Sequence, residues 1–160
     1  MTTSARHVLN DLKLTLELLH RDPVNAEWRI HWVAAIALAR SVGYVLWNVD
    51  VRDGRADRSA ARKLFDEWKV RENKEHEIFR DFIELERNSV LKEYESSVYP
   101  ENEIWLLAGE EAFEERFLLG SNLFRPIEFG LYEGEDARYV IHLAIDWWDK
   151  QLCRLEDRQT

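Results

Sequence analysis

The sequence predicts a mainly α-helical protein, an up-and-down bundle of four to five helices with a small β-hairpin or extended insertion before the last helix. Apolar residues recur at three- and four-residue spacing through most of the chain, and turn residues separate these stretches. Between residues 99 and 134 the helical pattern gives way to alternation and scattered glycines. The 160 residues, 46% of them hydrophobic, suffice for one core, so we expect a single domain over 1–160 with an insertion at 99–134.

The first helix is predicted over residues 4–19, where Val8 and several leucines recur at helical spacing. Thr2, Thr3 and Ser4 are each suitable N-cap residues, because their hydroxyl oxygens can accept a bond from a free backbone N–H. Pro23 forces the residue before it out of the helical region, so we expect the helix to end at Asp22 or earlier.

The second helix is expected to run from an Asn25 cap to about Val49. Its apolar ridge follows nearly a seven-residue repeat, which is typical of bundles, and comprises Trp28, Trp32, Ile36, Ala39, Val42, Leu46 and Val49. A second seam at four-residue spacing, His31, Ala35, Ala39 and Gly43, is small enough for a neighbouring helix backbone to approach. His31 is a candidate ligand or proton carrier, although a histidine there more often forms a core hydrogen bond.

The sequence also predicts a third helix, a last helix and the hairpin. Asp57 or Ser59 caps a third helix that extends to Trp68, and Glu135 or Asp136 caps a last helix that extends to about Leu152. Alternating side chains over 104–119 predict the hairpin, and the punctuated stretch that follows is expected to lie over the bundle.

Composition excludes several functions. The chain has 22 Lys and Arg against 31 Asp and Glu, a formal charge of −9, which argues against non-specific DNA binding and against an anionic membrane surface. A single cysteine, Cys153, excludes an intrachain disulfide and a cysteine-based zinc site. No phosphate-loop, dinucleotide-binding, nucleophile-turn or zinc-protease motif occurs. We expect a cytoplasmic protein without a cofactor or a metal.

The stretch Glu77–Ser97 reads as one uninterrupted helix with an unusual polar group. Phe79, Ile83, Val90 and Tyr94 form an apolar stripe, and Arg87 is predicted to lie within it. A buried guanidinium is costly unless it is paired, and Glu84, one turn earlier, is the nearest candidate partner.

Asn88 and Lys92 are four residues apart on the neighbouring face, so Arg87, Asn88, Lys92 and Tyr94 can line one polar seam. The run from Arg87 to Tyr94 resembles the R-N-x-x-x-H-x-Y motif of the HEPN superfamily, all-helical domains that include RNase toxins and phage-defence nucleases. Lys92 stands where that family has histidine. The resemblance implies a homodimer in which the Arg87 seams of two chains face each other across a shared cleft.

The substitution bears on catalysis. The family's metal-independent RNA cleavage is attributed to the histidine, which handles the proton of the attacking 2′-hydroxyl, and to the arginine, which stabilises phosphate charge. A lysine with an ordinary pKa near 10.4 cannot take a proton at neutral pH. The resemblance therefore implies a scaffold whose nuclease is weakened or absent.

Three functions remain open at this point. The first is an RNase or toxin-like enzyme in which Arg87 binds the scissile phosphate, Asn88 and Tyr94 orient it, and Lys92 serves as an electrostatic stabiliser or an unusual acid. The second is a catalytically silent module that binds RNA, a nucleotide or a protein, with a toxin-antitoxin or phage-defence system as one setting for it. The third is a helical oligomer whose polar seam only specifies assembly, with Arg87 held in an ion pair.

Other histidines and arginines are weaker candidates. Arg71 to His76 matches the nuclease spacing once, as chance alone would produce in a chain with 16 arginines. His76 and Arg80 nevertheless share the helical face of Arg87. They could reach a binding site or interface through a bend or from a second chain. His142 and Asp146, four residues apart, could be two metal ligands, but a solvated stripe explains them more simply.

Overall fold

The protein is described by a computed structural model that covers residues 1–98, 103–108, 113–118 and 124–157. It is a helical bundle. The helices are α1 (Thr3–His20), α2 (Asn25–Val45), α3 (Arg58–Trp68), α4 (Glu84–Lys92) and α5 (Ala137–Asp157). Two π-helical segments extend this framework, Leu46–Val51 directly after α2 and Ile78–Ile83 directly before α4.

Helix α2 lies at the centre of the bundle, in contact with α1, α4 and α5. Its predicted apolar ridge is buried from Trp28 to Leu46. The core continues into an aromatic cluster, defined by Trp68, Phe79, Trp147 and Trp148, whose ring centroids lie 4.7 to 5.8 Å apart. Large rings packed edge to face supply much of the apolar surface that the bundle removes from water.

The small seam of α2 meets a ring rather than a backbone. Gly43 lies against the buried Trp148 side chain, and a Cβ at Gly43 would come within 2.7 Å of the Trp148 Cη2 atom. At Gly43 the close neighbour is therefore a tryptophan side chain of α5 and not the helix backbone that the seam predicts. Glycine is required here because any side chain would overlap that ring.

Each π-helical segment changes which residues face inward, because its i→i+5 bonding adds a residue to the turn. After α2 the buried positions are Leu46, Asp50 and Val51, whereas Val49 is only half-buried, so the predicted ridge ends at Leu46. The helix predicted over Glu77–Ser97 is correspondingly divided: it begins with a short 3₁₀ turn at Lys74–His76, passes through Ile78–Ile83 and ends at Lys92.

The buried Asp50 caps α1 from a distance. Its two carboxylate oxygens accept bonds from the Ser4 and Ala5 backbone N–H groups at 3.1 and 2.9 Å. Thr2 precedes the helix as predicted, but its hydroxyl donates to Glu156 instead of capping. A carboxylate at a helix N-terminus also interacts favourably with the helix dipole, so this contact ties the end of α2 to the start of α1.

The other helix starts fit their predictions in part. Asp57 caps α3 by accepting from the Ala60 backbone N–H at 2.6 Å. Helix α2 begins at Asn25 with Val24 in the cap position, and α5 begins at Ala137 after Asp136. The Asp136 side chain accepts from the Arg125 and Arg138 backbone N–H groups.

Strands β1 (Glu103–Ala108) and β2 (Phe113–Leu118) pair antiparallel, with Glu103 opposite Leu118 and Ala108 opposite Phe113. Residues 109–112 and 119 lie outside the described residues, and the predicted hairpin over 104–119 stays a prediction. The described end of the predicted insertion does more than cover the bundle. Arg125 and Ile127 are both 2% exposed, so this segment contributes to the interior.

Among the described residues, one continuous helical stretch, Ala26–Val51, is long and apolar enough to cross a membrane by length and composition. Its buried ridge forms the centre of the bundle, as the core helix of a soluble protein does. Arg40 and Asp50 also belong to this stretch.

Candidate functional site

An open groove runs along the outer side of α2, and it consists of two adjoining pockets that share Arg40 and Tyr44. We call them the α4 pocket and the α3 pocket after the helix that forms the far wall. The α4 pocket has a volume of about 630 Å³ and is lined by Ser41, Glu84, Arg87, Asn88 and Leu91 besides the shared pair. The α3 pocket, about 370 Å³, is lined by Trp47, Arg62, Phe65 and Lys69, among others.

Arg87 and Asn88 come together in the α4 pocket. The Arg87 Nη1 donates to Asn88 Oδ1 at 2.9 Å, and the guanidinium is half-buried. The predicted pairing of Arg87 with Glu84 is not what the structure has: Glu84 Oε1 lies 3.6 Å from Arg40 Nη2. Because Asn88 is neutral, its bond to Arg87 leaves the full positive charge of the guanidinium in the groove.

The prediction that Arg87 lies within the apolar stripe is also wrong, because Glu86 takes the inward position. Glu86 is 4% exposed, and its Oε1 accepts from Trp32 Nε1 at 3.0 Å, from the Ser97 N–H at 3.0 Å and from Ser96 Oγ at 3.3 Å. These donors satisfy a buried carboxylate that would otherwise be costly. Glu86 therefore joins α4 to α2 and to the chain that follows α4.

The remaining motif residues lie outside the groove. Helix α4 ends at Lys92, which is exposed, and Tyr94 has a positive φ of 57° with 64% of its surface exposed. Tyr94 was expected to continue the apolar stripe, but the left-handed residue turns the chain away from the helix. Its ring instead lies 5.9 Å from the Arg29 guanidinium carbon.

His76 and Arg80 have structural contacts away from the groove. His76 is 1% exposed, and its Nδ1 accepts from Trp147 Nε1 at 3.2 Å. Desolvation by burial lowers the pKa of His76, so the neutral form is favoured. Arg80 donates to the backbone oxygens of Trp68 and Asn73 at 2.9 and 3.0 Å, which closes the connection after α3. Neither side chain lines the groove.

The other histidines form local pairs. His31 Nε2 lies 3.7 Å from Glu27 Oε1 on α2, and His142 Nε2 lies 3.4 Å from Asp146 Oδ2 on α5. Both His142 and Asp146 are more than half exposed, as expected for a solvated stripe. Within the described residues, no group of three or more His, Cys, Asp or Glu side chains is placed to hold a metal ion.

The groove is positively charged although the chain as a whole carries −9. Its two pockets contain four cations, Arg40, Arg62, Lys69 and Arg87, and two carboxylates, Asp66 and Glu84. Arg40, Glu84 and Arg87 are half-buried, and charges next to low-dielectric walls produce a stronger local field than the same charges in water. This arrangement can bind a small anion, and its excess of positive charge disfavours a bound cation.

Comparisons with protein-family models, with curated proteins and with solved structures gave no significant match to this chain. The resemblance to HEPN proteins therefore depends on the motif residues alone. What the structure adds is the grouping of two of those residues, Arg87 and Asn88, with Arg40 of the central helix.

Proposed function

We propose that this protein is a HEPN-like module that binds single-stranded RNA or a nucleotide through the α4 pocket and has a weakened or silent nuclease. A role in a toxin-antitoxin or phage-defence system, in the cytoplasm, is part of the same proposal. The observation that carries it is the open pocket in which Arg87, Asn88 and Arg40 meet.

The accessibility of Arg87 favours binding over a purely structural role. A seam that only specifies assembly would bury this guanidinium against a carboxylate, whereas Arg87 has a neutral partner and lines an open pocket. Guanidinium groups bind phosphate through two parallel N–H bonds, and they keep their charge at every physiological pH. A phosphate of an RNA backbone fits this combination.

The position of Lys92 favours a silent site. General acid–base catalysis needs a group within hydrogen-bond reach of the proton that moves, with a pKa near the working pH. Lys92 is exposed and lies outside the pocket that contains Arg87. An active metal-independent RNase is the alternative, and the adjacency of Arg87 and Asn88 in the pocket is the observation in its favour.

A homodimer is the proposed assembly. Exposed apolar side chains line the α4 pocket, with Leu91 49% and Tyr44 65% exposed. Apolar surface of this kind next to a polar seam is typical of an interface. Two copies that meet along this surface would bring their Arg87 residues to one cleft. A helical oligomer without a ligand remains the alternative, and RNA binding separates the two.

Fluorescence anisotropy with a labelled single-stranded RNA at low salt tests the proposal. We expect wild type to bind and Arg87→Ala to weaken binding roughly 10- to 100-fold, the loss expected for a hydrogen bond to a charged group. Arg58→Ala is the matched control, because it removes an exposed arginine that does not line the groove. Equal affinity of wild type and Arg87→Ala would contradict the proposal.

The RNase alternative is tested by incubating RNA with the protein in the presence of a chelator. We expect no cleavage by wild type. Cleavage that disappears in Arg87→Ala and increases in Lys92→His would establish the alternative, since histidine supplies a group that titrates near pH 7. Sedimentation analysis of the same samples measures whether the protein is a dimer, and a monomer at all concentrations would exclude the shared cleft.

A further inference from the structure

The α3 pocket differs in chemistry from the α4 pocket beside it. Three aromatic side chains, Tyr44, Trp47 and Phe65, line it together with the cations Arg40, Arg62 and Lys69. None of the aromatic residues belongs to the motif around Arg87. Aromatic faces next to cations are the combination with which proteins hold nucleotides, because the base stacks and the phosphate pairs.

The two inner rings form a corner. The centroids of Trp47 and Phe65 lie 5.4 Å apart and their planes are perpendicular. Both rings are only half-buried, although each packs against the core on its other side. A planar base can therefore stack on one ring while its edge meets the other, and the corner is already formed without a ligand.

Gly43 and Asn48 complete the pocket. Gly43 lines the pocket, and the buried Trp148 ring fills the space where a Gly43 side chain would be. The Nδ2 of Asn48 donates to the Tyr44 backbone oxygen at 2.9 Å, which orients the amide. Its Oδ1 is an acceptor of the kind that pairs with the exocyclic amino group of adenine.

Arg40 connects the two pockets. Its guanidinium carbon lies 5.6 Å from the Phe79 ring centroid, and its Nη2 lies 3.6 Å from Glu84 Oε1. This contact with an exposed carboxylate is long, so a phosphate can compete for it. A nucleotide phosphate bound at Arg40 would lie between a base in the α3 pocket and Arg87 in the α4 pocket.

We infer that the α3 pocket is a base-binding subsite that takes a purine nucleotide, with its base against Trp47 and Phe65 and its phosphate between Arg40, Arg62 and Lys69. The inference rests on the proposed function, since it names the part of the RNA that the groove recognises beyond its phosphates. The volume of about 370 Å³ is at the lower end of ligand-binding pockets, as expected for one nucleotide.

Calorimetric titration with adenosine 5′-monophosphate, with ribose 5-phosphate as the ligand that lacks a base, tests the subsite directly. We expect wild type to bind the nucleotide more tightly than the sugar phosphate. Trp47→Leu should reduce the nucleotide affinity roughly 5- to 150-fold, the loss of one stacked base, and bring it close to that of the sugar phosphate. Equal affinity of wild type for the two ligands, or no binding of either at millimolar concentration, would overturn the inference.

A second variant guards against misfolding, because Trp47 packs on Phe65. The double variant Arg62→Ala/Lys69→Ala changes exposed side chains only, and we expect it to weaken nucleotide binding while the circular dichroism stays as in wild type. Lys63→Ala is the matched control on the same helix, because Lys63 is exposed and does not line the pocket. A double variant that binds as well as Lys63→Ala would also count against the inference.

The experiments distinguish a wrong subsite from a wrong proposed function. If RNA binding depends on Arg87 but neither the nucleotide titration nor Trp47→Leu has an effect, the function holds and the subsite is excluded. If the nucleotide binds and Trp47→Leu weakens it, while RNA does not bind, the subsite holds for a free nucleotide and the proposed RNA-binding function is excluded. Arg87→Ala should weaken nucleotide binding less than Arg62→Ala/Lys69→Ala does, because Arg87 lines the α4 pocket and not the α3 pocket.

Discussion

The interior of this protein and its α2 groove use charged residues in opposite ways. Inside, Arg125 lies 3.4 Å from Asp22, both almost fully buried, and Asp50 and Glu86 accept bonds from backbone or indole N–H groups. In the groove, the half-buried Arg40 lies 3.6 Å from Glu84, and the half-buried Arg87 donates to the neutral Asn88. Removing one partner of a buried charge destabilises the fold, whereas a charge that lines an open pocket is available to a ligand.

The buried pair provides the largest expected effect. Arg125→Ala removes a buried cation that lies 3.4 Å from the buried Asp22, so we expect the free energy of unfolding to fall by about 3 to 5 kcal/mol. Arg125 also lies 5.0 Å from the Trp28 ring centroid, which adds a cation–π contact to the loss. Urea denaturation followed by tryptophan fluorescence measures the change.

The matched control is an exposed pair on α3. Arg62 and Asp66 lie 4.0 Å apart and are both largely exposed, so Arg62→Ala should change stability by at most about 0.5 kcal/mol. If Arg125→Ala is no more destabilising than Arg62→Ala, the distinction between interior and groove charges is wrong.

Gly43 lies between the two regions, since it lines the α3 pocket and contacts the core ring of Trp148. Gly43→Ala places a methyl group 2.7 Å from Trp148 Cη2, and three aromatic neighbours hold that ring in place. Overpacking costs about 1 to 3 kcal/mol, and the better helix propensity of alanine returns about 1. We expect a net loss of stability in thermal unfolding.

Trp148→Phe provides the test of mechanism for Gly43→Ala. Phenylalanine has no Cη2 atom, so the added methyl group should cost less in the Trp148→Phe background than in wild type. Equal costs in the two backgrounds would show that the overlap is not the cause.

A smaller effect is expected from His76, whose pKa is lowered by burial. The unfolded chain binds a proton near pH 6.5 that the folded protein does not, so stability is complete above about pH 6.5 and decreases as the pH falls below it. One proton limits the slope to about 1.4 kcal/mol per pH unit. The carboxylates with lowered pKa, Asp53, Glu75, Asp136 and Glu156, lose their contribution only at lower pH.

Urea titrations at pH 7.0, 6.0 and 5.5 measure the contribution of His76. Wild type should lose stability over this range, and His76→Gln, which keeps an acceptor for Trp147 but does not titrate, should lose much less. His142→Gln is the control, because that histidine is exposed and pairs only with Asp146. Parallel pH profiles for wild type and His76→Gln would assign the dependence to other groups.

The sequence predicted the helical bundle well because periodicity reports burial directly. It predicted the Asp57 cap and most of the α2 ridge, yet it put Arg87 in the inward position that Glu86 occupies. Glu86 comes seven residues after Phe79 and four before Val90, so its spacing already indicated the core. A buried carboxylate was not expected because its donors, Trp32 and Ser97, come from distant or non-helical parts of the chain.

The groove was only half predictable for a related reason. Arg87 and Asn88 are found from a local motif, whereas Arg40 becomes their neighbour only when α2 and α4 pack. Arg40, Tyr44 and Trp47 do follow each other at helical spacing on the outer side of α2, and that pattern was the available signal for the α3 pocket. The pair Asp22 and Arg125, 103 positions apart, has no signal in sequence at all.

The smallest expected effect is on the salt dependence of RNA binding, and it compares a groove residue directly with an interior one. For single-stranded nucleic acid, the logarithm of the binding constant falls with the logarithm of the salt concentration by about 0.7 for each phosphate that a cation neutralises. Arg87→Ala should therefore reduce the magnitude of this salt-dependence slope by about 0.7. Anisotropy titrations from roughly 50 to roughly 200 mM salt measure the slope. Glu86→Gln should leave the slope unchanged. Glu86 precedes Arg87 in the sequence, but it is buried and lines neither pocket of the groove. If the two variants change the slope equally, the arginine acts through folding and not through contact with a phosphate.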